Sequence, residues 1–126
     1  MTKTLNRIKG NQGEDMAAKW LTDHGYQIIE RNNSTKYGEL DIIATRSAGS
    51  GQDILVFIEV KFKQTEDFGT PEEMIGKNKL AQVKRTAEMY LLTNPDIAKQ
   101  FNIYQIDAVC IVEETGRITH YDNISI

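Results

Sequence analysis

The chain has 126 residues, 40% hydrophobic and 26% charged, which is enough for one domain with a real core and too little for two. Its formal net charge of -3 excludes a protein that coats nucleic acid or an anionic membrane by bulk charge, while leaving room for a local basic face. The single cysteine, Cys110, rules out an internal disulfide, and MTKTLNRIKGNQGEDM holds no apolar run of signal-peptide type. Ile54 to Val60, the most apolar stretch, falls far short of the roughly 20 residues a membrane helix needs. A cytoplasmic, single-domain protein with no membrane partner is expected.

From Gln12 to His24 the residues Met16, Ala17, Trp20 and Leu21 recur at helical spacing, and Gly25 stands where a left-handed helix stop is wanted. Tyr26 to Glu30 then reads as a short strand, Leu40 to Ala44 as a second and Asp53 to Lys61 as a third, with Ser47 to Gly51 a hairpin turn. The third is apolar on both faces, the mark of a central strand covered on both sides. After a polar turn from Gln64 to Pro71, the segment Glu72 to Leu92 predicts a longer helix, broken near Gly76. Tyr104 to Val112 predicts a fourth strand, and Arg117 to Tyr121 a short edge strand. The order α-β-β-β-α-β with a β tail implies an α/β domain with a mixed sheet. Hairpin-linked strands run antiparallel, and the strand after the long helix returns parallel by a crossover.

Charge interrupts two of the apolar strands. Asp41 lies between Leu40 and Ile42, and Glu59 between Ile58 and Val60. Unpaired carboxylates in such settings are costly, so they pair with a cation, hold a metal or mark a strand end. Strand alternation puts Glu59 and Lys61 on one face about 7 Å apart. Two or three carboxylates that hold Mg²⁺, with a lysine near the attacking water, form a mechanistic set for phosphodiester hydrolysis. Glu14, in the opening helix, is placed to supply a third carboxylate from the end of the sheet. An acid-x-Lys triplet alone is weak, and a structural ion pair at a strand terminus explains Glu59 and Lys61 about equally well.

Larger patterns resolve the balance. The run Gly10-Asn-Gln-Gly13-Glu14 with Ala17 and Leu21, then Gly25-Tyr26, Asn32, Gly38-Glu39-Leu40-Asp41-Ile42-Ile43-Ala44 and Phe57-Ile58-Glu59-Val60-Lys61, resembles the YraN family of small bacterial proteins. The likeness continues through Phe68-Gly69, Lys79, Val83, Ala87, Tyr90-Leu91 and Ile106-Asp107. That family is similar to archaeal Holliday-junction resolvases and to the PD-(D/E)XK, restriction-endonuclease-like nucleases. The resemblance implies an αβββαβ core and a Mg²⁺- or Mn²⁺-dependent site in which Glu14, Asp41 and Glu59 are the metal-site acids and Lys61 the catalytic lysine. Lys63 and Lys79 are the residues it points to for nucleic-acid contact. Two departures stand out. Lys63 replaces an Arg common in the family, which keeps the charge but loses the planar fork, and Gln105 replaces an Arg ahead of Ile106-Asp107.

Other polar residues have plainer readings. Glu39 shares a strand face with Asp41 but fits a turn or ion pair beside Gly38 at least as well, and stays outside the catalytic set. Lys77, Lys84 and Arg85 belong to a solvated helix surface. His24 and His120 read as a helix-end and an edge-strand residue, since no second His or Cys stands at ligand spacing. Cys110, Trp20 and Tyr90 read as core. The expected function is a metal-dependent endonuclease on DNA, with branched or junction forms suggested by the resemblance and a homodimer suited to a two-fold junction. The alternatives are a nucleic-acid-binding module of the same fold with little turnover, and an assembly protein whose acids only form ion pairs. The last requires the Asp41 and Glu59 carboxylates to point apart.

Overall fold

The computed structural model describes residues 2–49, 51–65 and 71–124, the side chains of 2–11 and 71–72 excepted. Helix α1 (Thr2–Asp23) leads into strands β1 (Gln27–Thr35), β2 (Gly38–Ser47) and β3 (Asp53–Lys63). Helices α2 (Pro71–Ile75), α3 (Lys77–Thr93) and α4 (Pro95–Ala98) cross over to β4 (Ile103–Val112), and β5 (Ile118–Tyr121) closes the chain. The five strands form one sheet in sequence order. Pairing is antiparallel from β1 to β3, parallel between β3 and β4, and antiparallel again between β4 and β5. This is the expected single-domain α/β architecture, an αβββαβ core with its mixed sheet flanked by helices and a β tail.

Local chemistry accounts for the boundaries. Gly25 takes φ +90, and the Tyr26 amide donates to the Leu21 carbonyl at 2.9 Å, a left-handed glycine stop. Gly76 at φ +92 separates α2 from α3, so the long helix is broken where expected. The tip of the β2–β3 hairpin is closed by the Ala48 amide donating to the Gln52 carbonyl at 2.8 Å.

β3 is central, as its two-sided apolar run requires. Leu55 and Phe57 pack with Leu80, Val83, Ala87 and Tyr90 of α3, while Ile54, Val56 and Ile58 pack with Ala17 and Leu21 of α1. Each such side chain, once buried, contributes about 1.5–3 kcal/mol. Tyr90 meets Phe57 edge to face with ring centroids 5.7 Å apart. Tyr90 and Cys110 are therefore core, as read from the sequence.

Several boundaries differ from expectation: β2 spans Gly38–Ser47 rather than Leu40 to Ala44, taking Ser47 out of the turn and into the ladder, and β3 runs past Lys61 to Lys63. α1 begins at Thr2 rather than Gln12, because its first turns lack an apolar stripe, yet no proline interrupts them. β1 runs on to Thr35. Its second half, Glu30 to Thr35, is polar throughout and is held by the backbone ladder to β2 rather than by alternation. α4, one turn after Pro95, carried no periodic signal. Phe68, Gly69 and most of the polar turn from Gln64 to Pro71 lie outside the described residues.

Candidate metal-binding acidic site

The ladder between β2 and β3 pairs Ser47 with Asp53 at the hairpin end and finishes at Ile42 opposite Ile58. Beyond that point β2 continues to pair with β1, and β3 with β4. Asp41 and Glu59 are the next residues on the two strands, at the mouth of this divergence. The Val60 amide, left without a ladder acceptor from β2, donates to Asp41 Oδ2 at 2.9 Å. A carboxylate thus takes over where the backbone pairing stops, which fixes its position from the main chain.

Glu59 is buried, with 8% of its surface exposed, and its carboxyl donates a hydrogen bond to Asp41. Burial, then the Asp41 charge, push its pKa from 4.5 up to about 8, against the pull of Lys79. Burial also raises Asp41, opposed by the Val60 amide and by Lys79. Two acids that share one proton are a familiar consequence of close carboxylates away from water. Their convergence contradicts the requirement of the assembly reading that they point apart.

Glu14 arrives from α1. The helix passes close to β3 at Gly13, where an added Cβ would stand 2.9 Å from the Phe62 ring. The absence of a side chain there brings the next residue to the sheet. Carboxylate oxygens of Glu14, Glu39 and Asp41 all lie within 4.8 Å of one another. Burial and the Asp41 charge raise the Glu14 pKa, while the nearby Asn32 amide and Arg31 lower it. Glu14 sits in the middle of α1 rather than near its start, because the helix is longer than the apolar pattern indicates.

Asp41 is thus at the centre, with Glu14 within 4.8 Å on one side and Glu59 beside it on the neighbouring strand, and Glu59 stands outside the group whose oxygens all lie within that distance. Glu39, set aside in the sequence reading, joins Glu14 and Asp41 in that group. Its spacing of two from Asp41 was the available signal, and its place beside Gly38 obscured it. Lys79 of α3 reaches the group, its Nζ 3.7 Å from Glu59 Oε1. Lys61 is exposed two residues beyond Glu59 and has no ion-pair partner among the described residues. Lys63 is half-buried near the end of β3. The donor set is all oxygen, which fits a hard divalent cation such as Mg²⁺ or Mn²⁺. A carboxyl whose pKa is raised by burial and by a neighbouring acid is a group that such a cation would ionise.

A second polar cluster was not foreseen. Asp107 on β4 is fully buried and accepts from Tyr26 Oη at 3.0 Å, Gln105 Nε2 at 2.8 Å and the Asn123 amide at 2.9 Å. His120 Nε2 lies 2.7 Å from the same carboxylate. These contacts hold its pKa below the usual value in spite of burial. Asp107, His120 and Asp122 are close enough to share an ion, but four partners already saturate the Asp107 oxygens. The cluster acts as a staple that ties β5 and the start of β1 to β4. Gln105, at the position of the family's Arg, is buried and bridges Asp107 and Asp122. His24 stacks on Trp20 with ring centroids 3.7 Å apart, and half-buried Trp20 also leans on His120.

An αβββαβ core that gathers acids from its first helix and its second and third strands at one end of the sheet defines a restriction-endonuclease-like protein. The chain belongs to the uncharacterised protein family UPF0102, the YraN family, whose sequence model matches residues 13–111. It is 38% identical over 121 residues to a UPF0102 protein of Syntrophomonas wolfei, covering 94% of this chain and 98% of the relative. A UPF0102 protein of Alkaliphilus oremlandii is 33% identical over 120 residues, with the same coverage. One from Persephonella marina is 37% identical over 116 residues, covering 92% and 91%. The solved structure of Pyrococcus furiosus SfsA in complex with Ca²⁺ aligns over 94% of this chain and 63% of that one, at 17% identity and a TM-score of 0.33. That similarity carries no argument here. Among the described residues, no helix is long and apolar enough to cross a membrane.

Proposed function

We propose that this protein is a divalent-metal-dependent endonuclease that hydrolyses phosphodiester bonds in DNA, with branched or junction forms its substrate class. The observation that carries the reading is Asp41 at the point where β2 and β3 part, with carboxylate oxygens of Glu14 from α1 and Glu39 within 4.8 Å of its own and Glu59 of β3 coupled to it by charge. Glu14, Asp41 and Glu59 would hold Mg²⁺ or Mn²⁺, which supplies Lewis-acid polarisation of the phosphate and lowers the pKa of water. Asp41, held by the Val60 amide, sets the centre of the site. Glu59 must give up its proton for this role, and the Lys79 ammonium beside it favours the charged form. Lys61, exposed at the rim, is placed to meet the phosphate and stabilise charge that develops on it. Lys79, once relieved of Glu59, and Lys63 are the residues that would contact the nucleic-acid backbone.

One observation favours a second reading, a nucleic-acid-binding module with little turnover. The Lys79–Glu59 ion pair already supplies the acids with a cation and competes with a metal. A cleavage panel of single-stranded, duplex, flap and four-way DNA with Mg²⁺ or Mn²⁺ decides between them. The endonuclease reading expects metal-dependent products that vanish in Glu59→Gln and in Lys61→Ala while both variants stay folded. Salt-sensitive DNA binding without products in any divalent metal establishes the binding module, and cleavage that persists in both variants overturns the site.

A further inference from the structure

Strand β1 is the free edge of the sheet next to the acids, and two of its residues are spent on Glu14. Asn32 lies across from Asp41, between the register pairs Arg31 with Ile42 and Asn33 with Leu40. It takes φ +55 inside a strand, a left-handed conformation that costs a non-glycine residue about 1 kcal/mol and that asparagine tolerates better than most. Its side-chain amide faces the Glu14 carboxylate and helps to lower its pKa. Arg31 reaches the same helix. Its Nη2 is 2.8 Å from Asp15 Oδ1 and 3.8 Å from Glu14 Oε2, and its Nε is buried without a hydrogen-bond partner. A bridge to Asp15 alone, whose side chain is 69% exposed, would contribute little. Reaching both acids, the guanidinium brackets α1 at Glu14. The carboxylates of Glu39 and Asp41 lie within 4.8 Å and repel that group. Without donors on the β1 side, Glu14 would be driven toward solvent.

Resting on the metal-site reading above, we propose that Arg31 and Asn32 are positioning residues that hold the Glu14 carboxylate against its acidic neighbours, so that the metal-site acids are set before a cation arrives. The two residues act from one strand on one side chain, Asn32 through its amide dipole and Arg31 through charge. Residues that orient ligands in this way influence metal affinity by about 10- to 100-fold.

The test measures Mn²⁺ binding by electron paramagnetic resonance on the full chain, beside thermal melts in EDTA, for wild type, Glu14→Gln, Asn32→Gly and Arg31→Lys. Glycine takes the left-handed backbone without strain and removes only the amide, so a purely conformational role for Asn32 predicts unchanged binding. The positioning role predicts Mn²⁺ affinity about 10-fold weaker or worse in Asn32→Gly, with the melting temperature in EDTA unchanged or raised. A single nitrogen, Nη2, makes both Arg31 contacts, so lysine keeps the charge but shifts its position on a more flexible stem, and a smaller loss of affinity is expected there. If wild type binds Mn²⁺, Glu14→Gln weakens it, and both β1 variants bind as wild type does, the positioning inference is overturned while the metal site stands. A wild type that binds no Mn²⁺ overturns the metal-site reading and this inference with it.

Discussion

Replacing Glu59 by Gln should stabilise the metal-free protein while destroying its metal response. In the folded chain burial and the Asp41 charge raise the Glu59 pKa from 4.5 to about 8, so folding disfavours its ionised form. The sign follows from linkage. A raised carboxyl binds its proton more tightly in the native state than in the unfolded chain, so stability falls as pH rises from about 4.5 to about 8. At pH 7 the difference of 2.5 between that pH and the unfolded value of 4.5 sets a ceiling of about 3 kcal/mol. Relaxation and water entry at the end of the sheet lower it, and about 1–2 kcal/mol is expected. Gln keeps the volume and a donor toward Asp41 but has no charge to lose. For a domain of this size the gain corresponds to a melting temperature roughly 4–8 °C higher in EDTA at pH 7. The gap should narrow to a few tenths of a kcal/mol near pH 4.5, where wild-type Glu59 is protonated in the native state and half protonated in the unfolded chain, and widen toward pH 8. Mn²⁺ at 100 times its Kd should then add about 2.7 kcal/mol to wild type and much less to the variant, which inverts the order. Thermal melts across pH 4.5–8, with EDTA and with Mn²⁺, read all of this. A variant less stable than wild type in EDTA at pH 8, or a gap that does not change with pH, would refute the reasoning.

Three further perturbations separate the roles of other residues. Lys61→Ala removes an exposed side chain and should leave stability within about 0.5 kcal/mol of wild type, while cleavage of the preferred substrate is lost; differential scanning fluorimetry and a gel assay check the two halves. Asp107→Asn replaces a fully buried acceptor of four partners and should cost about 3 kcal/mol at pH 7 in denaturant titrations. Because the Asp107 pKa is depressed below 3.8, its contribution is present above that pH and lost as pH falls through the folded value, so the two proteins should converge in acid. Gly13→Ala places a methyl 2.9 Å from the Phe62 ring and should cost about 1–3 kcal/mol, and it should weaken Mn²⁺ binding by moving α1 and Glu14 off the sheet.

The elements that bury apolar residues were legible because burial leaves a period. β3 reads as central from Ile54 to Ile58, and α3 from Leu80, Val83, Ala87 and Tyr90, since each contacts a layer that demands an apolar face. The second half of β1 and the first turns of α1 were not legible, because backbone hydrogen bonds rather than buried side chains hold them there. At the candidate site, Asp41 and Glu59 stood out as charges in apolar strands. Glu14 had no such contrast and depended on resemblance. Asp107 was visible only as part of a motif. Its burial makes sense once Tyr26, Gln105, His120 and Asn123, scattered from residue 26 to residue 123, are brought around it, and no local spacing announces a network of that span.

Lys79 shows most clearly what topology adds. Along the chain it stands twenty residues after Glu59 and among other basic residues of a helix surface, yet the crossover from β3 to β4 brings α3 back over the sheet and sets its ammonium 3.7 Å from the most perturbed acid. Lys61, nearer in sequence, has no ion-pair partner among the described residues. The two lysines therefore divide the work that a single acid-x-Lys motif suggests. In the metal-free chain the α3 lysine faces the Glu59–Asp41 pair and offsets the charge the two acids share, while the β3 lysine stays exposed. On the proposed metal-site reading a divalent cation would take over the first task, and the same ion would release a second ammonium toward the nucleic-acid backbone. Metal occupancy would then be coupled to DNA affinity in a protein whose net charge of -3 offers the backbone little attraction otherwise.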